Sequence, residues 1–349
     1  MPSQKNRSRL STSVSSEKNS RISRFNPVSF IPLLGAICYP FLLMLFHEVA
    51  STSAEKMNLL QILIASFILI CTLLVPVTGI VVSCYANIPK NVRRLAYACV
   101  VSPTLYVLLG VVQALVGSSI PDPWIWCIIW LLVAIWAFRS TDYNSSVEMP
   151  INMARWRVAH GICALIVCVY VIFHLGNHLV GLIGPTQYEI VMNIGRIIYR
   201  AAFIEPLLVA AFLFQVGSGL YLAWKWSGKK HDFFRTFQIA SGLYLSIFIL
   251  GHMNSVFIYA RTYLGIETDW NFATGYPSGL IYDPWNIRLV PHYFLGVFFV
   301  LAHLATGLMF LFKAHGVRQP VINYLWGVGL IGSLIVASAI ILGMIGVRI

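Results

Sequence analysis

Residues 158–182 read VAHGICALIVCVYVIFHLGNHLVGL, a run of 25 residues without Asp, Glu, Lys or Arg but with three histidines. About 20 apolar residues, at about 1.5 Å of rise each, cross the hydrocarbon of a bilayer as a helix. The run is continuous and does not alternate, so it reads as a helix and not as a strand of a membrane barrel. A histidine inside hydrocarbon is costly and marks a candidate functional site. Three later stretches repeat the pattern: 203–226 (FIEPLLVAAFLFQVGSGLYLAWKW), 236–261 (TFQIASGLYLSIFILGHMNSVFIYAR) and 291–314 (PHYFLGVFFVLAHLATGLMFLFKA). Each places a polar side chain deep in its run, so the four stretches together carry His174, Gln215, His252 and His303.

Five further apolar runs bring the expected spans to nine, adding 29–47, 58–84, 94–116, 123–139 and 322–346. With 58% hydrophobic and 10% charged residues, the chain is too apolar for a soluble domain, where charged residues make up about a quarter. The expected fold is all-α, a polytopic membrane helix bundle. The net charge of +12 follows from topology. With the N-terminus inside, 18 of the 24 Lys and Arg fall on the inner side: six in the tail, then Lys90, Arg93, Arg94, Arg139, Arg155, Arg157, Lys225, Lys229, Lys230, Arg235, Lys313 and Arg318. This is the bias that orients helical membrane proteins, and it puts the C-terminus outside. Basicity therefore does not point to nucleic acid.

Four regions follow: a disordered basic tail at 1–24, a four-helix membrane unit at 25–140, a polar inner loop at 141–157 and a five-helix module at 158–349. The tail is rich in Ser, Arg and Lys and poor in apolar residues, so it lacks the means to fold alone. It reads as a cytoplasmic tail, with a transit peptide as the alternative. Pro103 is expected to kink the third span. The segment TQYEIVMNIGRI, 186–197, is amphipathic and suits the membrane interface. Seven scattered cysteines form neither CxxC nor CxxCH, so no dithiol pair or covalent haem is signalled. No internal repeat, phosphate loop or nucleotide fingerprint is expected, and Gly217-Ser218-Gly219 reads as close helix packing.

Depth sorts the polar residues. His174 and His252 each lie 16 residues into spans starting inside, about 24 Å from the inner surface. Gln215 and His303 each lie 12 residues into spans starting outside, about 18 Å from the outer surface. Two stacked sites are expected, one with two imidazoles and one with an imidazole and an amide. A facing histidine pair in a bundle suits haem iron. A zinc-type ion held by His174, His178 and His252 is the alternative. His160 lies near the inner surface, placed for a propionate, a quinone or plain packing, and His178 for a haem edge or the outer loop. His47 reads as an interface residue, His231 and His315 as solvated. Arg157, Arg196 and Arg261 suit haem propionates or, better, lipid phosphates.

The segments RVAHG…FHLGNH, PLLVAAFLFQVGSGLYLAW, QIASGLYLSIFILGH and GVFFVLAHLATGLMFLF, with the span 322–346, resemble the single-polypeptide, five-helix cytochrome b membrane anchors of succinate dehydrogenases and fumarate reductases. The resemblance covers residues 155–346, and the first four spans have no counterpart in it. It implies haem b held by His174 and His252 nearer the outer face, and His303 as one ligand of an inner haem. Gln215 stands where that haem's second ligand belongs, so one haem is expected. The resemblance further implies electron transfer between a quinone and a hydrophilic partner on the basic inner loops. It implies an inner membrane, bacterial first and mitochondrial as the alternative. No flavin or iron–sulfur motif is present, so this chain alone is not expected to oxidise succinate. A non-redox scaffold or small-molecule permease is the competing expectation.

Overall fold

The computed structural model describes residues 27–52, 57–84, 88–139 and 153–349. The expected tail and most of the expected inner loop lie outside the described residues. Thirteen α-helices follow in chain order, with no strand among the described residues. The first group comprises α1 (Ile31–Ala50), α2 (Leu59–Cys84), α3 (Lys90–Val100), α4 (Ser102–Leu115) and α5 (Asp122–Arg139). The second comprises α6 (Ala154–Val180), α7 (Pro185–Tyr199), α8 (Ile204–Trp226), α9 (Phe233–Met253), the short α10 (Trp270–Thr274) and α11 (Gly279–Tyr282), α12 (Leu289–Ala314) and α13 (Gln319–Met344). Eight helical segments are long and apolar enough to cross a membrane, and α3 with α4 makes a ninth if that bent pair is one span. The molecule is a polytopic helical bundle, as its hydropathy requires.

The third expected span is sharply bent: α3 and α4 meet at 68°. Val101 leaves the helical conformation at φ −84°, ψ 1°. Pro103 follows, and a proline has no N–H to give the turn before it. The Ser102 hydroxyl donates to the freed Cys99 carbonyl at 2.8 Å. The span also begins earlier than its hydropathy suggested, at Lys90. Arg93, expected in an inner loop, is only 3% exposed and donates to the Ser83 carbonyl at 2.5 Å. Close contact between α2 and α3 depends on Gly79, where a Cβ would overlap the Ala96 carbonyl oxygen and lie 2.8 Å from Val100 Cγ2. Gly79→Ala is expected to cost about 1–3 kcal/mol, seen as a lower thermal midpoint of the purified protein.

The second group closes on itself. Helix α6 touches α8, α8 touches α9, α9 touches α12, α12 touches α13, and α13 returns to α6. The first group lies against one side of this five-helix ring, with α2, α3 and α4 all touching α9. One apolar cluster joins Ile80, Tyr97 and Val100 to Ala223, Phe237, Tyr244 and Phe299. Asp122 accepts from Arg288 Nη1 at 2.5 Å and also pairs with Gln113. This ion pair ties the start of α5 to the residues leading into α12. Helix α7 does not span: Tyr188, Met192 and Gly195 are buried on one face, while Ile190, Ile194, Ile197 and Ile198 are exposed.

Below, the basic end of the ring is where α6 and α9 begin and α8 and α12 finish; the loop end is the opposite one.

Candidate functional site

The ring lines a partly open cavity of about 1080 Å³. Its walls are largely apolar and carry all six residues singled out above: His160, His174, His178, Gln215, His252 and His303. They divide between two levels.

Towards the loop end, His174 on α6 and His252 on α9 face each other with ring centres 6.0 Å apart. An aromatic ring one turn earlier backs each, because residues i and i+4 share a helix face. Tyr170 stacks on His174 at 5.5 Å, and Phe248 stacks on His252 at 5.8 Å with planes within 4°. Phe248 in turn fills the space over Gly296, where a Cβ would overlap its ring. Among the described residues neither His174 nor His252 makes a hydrogen bond. Both imidazoles are half-buried and line the cavity, so their ring nitrogens are available to a bound group.

His178 sits beside His174 with ring centres 4.7 Å apart, and its buried Nδ1 has no partner. The alternative of a three-histidine metal ion finds no support in the geometry. Among the described residues no three His, Cys, Asp or Glu side chains group to hold an ion. Helix α9 continues past His252 as a π-helix, Asn254–Leu264, a widened backbone form that is frequent at functional sites.

Towards the basic end the pairing differs from the one depth suggested. Gln215 meets His160 on α6, its Nε2 lying 3.2 Å from His160 Nε2, instead of facing His303. His160 Nδ1 lies 2.7 Å from Ser218 Oγ, and that hydroxyl donates to the Phe214 carbonyl at 2.6 Å. His303 is held in the same way by a residue not singled out in the sequence. Gln238 Nε2 lies 3.1 Å from His303 Nε2, His303 Nδ1 lies 2.9 Å from Ser241 Oγ, and Ser241 donates to the Phe237 carbonyl at 2.7 Å. A carboxamide nitrogen only donates, so each Nε2 accepts and each Nδ1–H donates to its serine. Both nitrogens of both rings are thus engaged within the protein.

The two clamps come from an internal repeat, contrary to expectation. Phe214–Leu222 reads FQVGSGLYL and Phe237–Leu245 reads FQIASGLYL, identical at seven of nine positions. Helices α8 and α9 run in opposite directions, so the copies are inverted. Ser218 lies eight residues before Trp226, the last of α8, and Ser241 eight after Phe233, the first of α9. Each clamp therefore draws its carboxamide and its hydroxyl from the same positions of its copy. The glycine after each serine makes room for an imidazole edge. A Cβ on Gly219 would lie 3.5 Å from His160 Cε1, and one on Gly242 would lie 3.0 Å from His303 Cε1. Gly219 also packs near Ser246 of α9, whereas Gly217, expected to pack closely, faces open space.

Arginines stand at both ends of the cavity. At the loop end, Arg196 pairs with Glu267 at 3.2 Å and Arg261 with Glu205 at 2.6 Å, so carboxylates of the chain already engage both. Arg200 bonds the neutral Thr268 hydroxyl at 2.9 Å, and burial, then Arg196 and Arg261, hold its guanidinium below the usual range. At the basic end, Arg235 lies over Phe310 at 4.0 Å, with Arg157 on the same wall.

The remaining histidines stand outside the cavity walls. His292 is 2% exposed and packs on Phe248 with ring centres 4.6 Å apart. His47 Nε2–H donates to the Tyr282 carbonyl at 3.0 Å, joining α1 to α11. His315 is exposed, as expected. His231, also expected to be solvated, is half-buried and donates to the Trp226 carbonyl at 3.0 Å; burial pushes its pKa down.

In comparisons with protein-family models, with curated proteins and with solved structures, no match to this chain was found.

Proposed function

We propose that this chain is an integral membrane b-type cytochrome that holds one haem b between His174 and His252. It passes single electrons between a membrane quinone and a hydrophilic redox partner docked at the basic end. The observation that carries this reading is the hydrogen-bond state of the four cavity imidazoles. His160 and His303 are satisfied at both nitrogens, whereas His174 and His252 make no hydrogen bond among the described residues and stand 6.0 Å apart at a largely apolar cavity. The closed ring of five helices agrees with the anchor architecture that the sequence resembles. When bound, the iron would supply a one-electron carrier whose potential is set by its axial ligands. The chain supplies the two ligands, the stacked Tyr170 and Phe248 that fix their ring planes, and a dry wall. The reading places the basic end at the cytoplasmic or matrix face of an inner membrane, where the partner would meet the loop around Lys225 and Arg235.

Absorption spectroscopy of the purified protein tests this. A Soret band with the α and β bands of low-spin b-haem, at one haem per chain, is expected. His174→Ala is expected to abolish it. Gln215→Ala is expected to keep full haem content, because its carboxamide serves His160 and not the outer pair. A second reading, a small-molecule permease, is favoured by the cavity itself, whose apolar walls carry a few polar side chains. Protein purified without any Soret band, even after haem supplementation of the culture, ends the haem reading.

A further inference from the structure

The five-helix ring closes fully only towards the loop end. There Ile340, Ile341 and Met344 of α13 share an apolar cluster with Leu175 and Leu179 of α6. Towards the basic end α13 turns away from α6. Its Trp326 packs on Phe233, Phe234 and Phe237 of α9 and donates to the Thr306 hydroxyl at 3.0 Å. Among the described residues, α13 gives the cavity wall only Ile340 and Met344. In the basic half the rim is instead Val158, Ile162 and Leu165 on α6 and Leu308 and Leu311 on α12. These five residues line the cavity and are also 48–72% exposed. The cavity therefore opens sideways there, between α6 and α12, into the hydrocarbon that surrounds a spanning bundle.

This half of the cavity presents an apolar wall with charge at its mouth. The clamps keep their polarity to themselves: both nitrogens of His160 and His303 and the hydroxyls of Ser218 and Ser241 are engaged within the protein. The one carboxylate on the cavity wall, Glu205, stands at the loop end. Two guanidinium groups stand at the basic mouth. Arg157 is in the first turn of α6 and Arg235 in the first turn of α9, so both lie at the level of lipid head groups. Arg235 is half-buried, with Phe310 at 4.0 Å and Trp226 at 5.1 Å, and Arg157 is near enough to repel it. Among the described residues neither arginine forms an ion pair with a carboxylate. A guanidinium takes a phosphate through two parallel hydrogen bonds. Basic pockets between spanning helices on the inner face of a membrane hold anionic head groups. Two such groups without a counter-charge, beside an apolar slot open to acyl chains, define a ligand with an acidic head and a hydrocarbon tail.

We propose that this side opening holds one anionic phospholipid, with its phosphate on Arg157 and Arg235 and one acyl chain inside the cavity. The site lies outside the electron-transfer reading and does not depend on it.

The test uses the full chain in detergent micelles, titrated with dioleoylphosphatidylglycerol or dioleoylphosphatidylcholine and followed by native mass spectrometry. One tightly held phosphatidylglycerol per chain is expected, with phosphatidylcholine about ten- to thirtyfold weaker, the effect of two basic side chains on an anionic lipid. Arg157→Gln combined with Arg235→Gln is expected to bring the two lipids level. Arg139→Gln, at the end of α5 and outside this cavity's wall, is expected to keep the preference. Millimolar inorganic phosphate is expected not to displace the lipid, and oleate to compete only weakly. Phosphatidylglycerol with a diazirine at mid-chain is expected to label residues 238–246 of α9, a stretch with no exposed residue. That label is read on the unaltered protein, so it decides even if the double variant fails to fold. Equal retention of the two lipids, an unchanged preference in the double variant, an equal loss in Arg139→Gln, displacement by phosphate, oleate binding tighter than phosphatidylglycerol, no adduct within 238–246, or a second haem per chain overturns the proposal. Absence of the Soret band with the lipid preference intact overturns the haem reading instead and leaves this site standing.

Discussion

His252→Ala is expected to yield a folded helical protein without bound haem. The Soret band should vanish while the far-ultraviolet circular dichroism stays that of the unmodified chain. His252 is held by Phe248 on its own helix and, through Phe248, by Gly296 on α12, so its ring is placed from two directions. No neighbour can take over. His178 lies next to His174 on the same helix, on the near side of the gap, and His292 lies behind Phe248. The variant leaves a hole of imidazole shape in an apolar wall, so free imidazole supplied during haem reconstitution should restore part of the band. Full haem content in His252→Ala, or no response to imidazole with haem absent, would argue that the residue packs and does not ligate.

The second large effect concerns stability. Asp122→Asn is expected to lower unfolding free energy by about 3–5 kcal/mol, because it leaves a buried guanidinium without its counter-charge. Arg288 and Asp122 have side chains only 9% and 15% exposed. The guanidinium is also committed elsewhere: it lies over Tyr106 at 4.5 Å and Trp285 at 4.7 Å, and its Nε donates to the Trp285 carbonyl at 3.0 Å. It has no route to solvent when the carboxylate is lost. Replacing both partners by apolar residues, Asp122→Leu with Arg288→Met, should recover most of the loss, as for other buried pairs. Chemical denaturation in mixed micelles, followed by circular dichroism, measures both. Equal losses in the single and double variants would mean that shape, and not charge, matters there.

Much of the fold was legible in the sequence because hydropathy is a one-dimensional signal and a membrane span is a one-dimensional object. The run from Val158 to Leu182 announces a crossing helix regardless of its neighbours. The depth of a histidine along its span is equally direct, and it brought His174 and His252 to one level. Depth carries no azimuth, however. Counting along the spans puts Gln215 and His303 at matched depths, yet Gln215 turns towards His160 on α6 and His303 towards Gln238, and the helix spacing alone does not say which. The FQxxSGLYL repeat was visible in the letters. It was passed over because its apolar positions look like any other span, and its Gln and Ser acquire meaning only once α8 and α9 are seen to be antiparallel. The bend after Val100 was half legible: Pro103 marks the place, but the angle comes from packing against α2 and α9.

The five-helix ring is embraced unevenly, and the two helices that face each other across the His174–His252 gap are at opposite extremes. Helix α9 is touched by α2, α3, α4, α8 and α12, and nine of its 21 residues are buried. Of the 27 residues of α6, only Val167 and Asn177 are buried. In evolutionary terms this is a division between a spelled word and a coloured background. Along α9 nearly every letter is read by a neighbour, so its sequence should change slowly and in concert with α2, α3 and α12. Along most of α6 any residue with an affinity for hydrocarbon will do, and Leu, Ile, Val and Phe can exchange freely around the fixed points His160, His174 and His178. Two halves of one site would then drift at very different rates, and an alignment of close relatives would show the histidines of α6 as isolated constants in a changing apolar field.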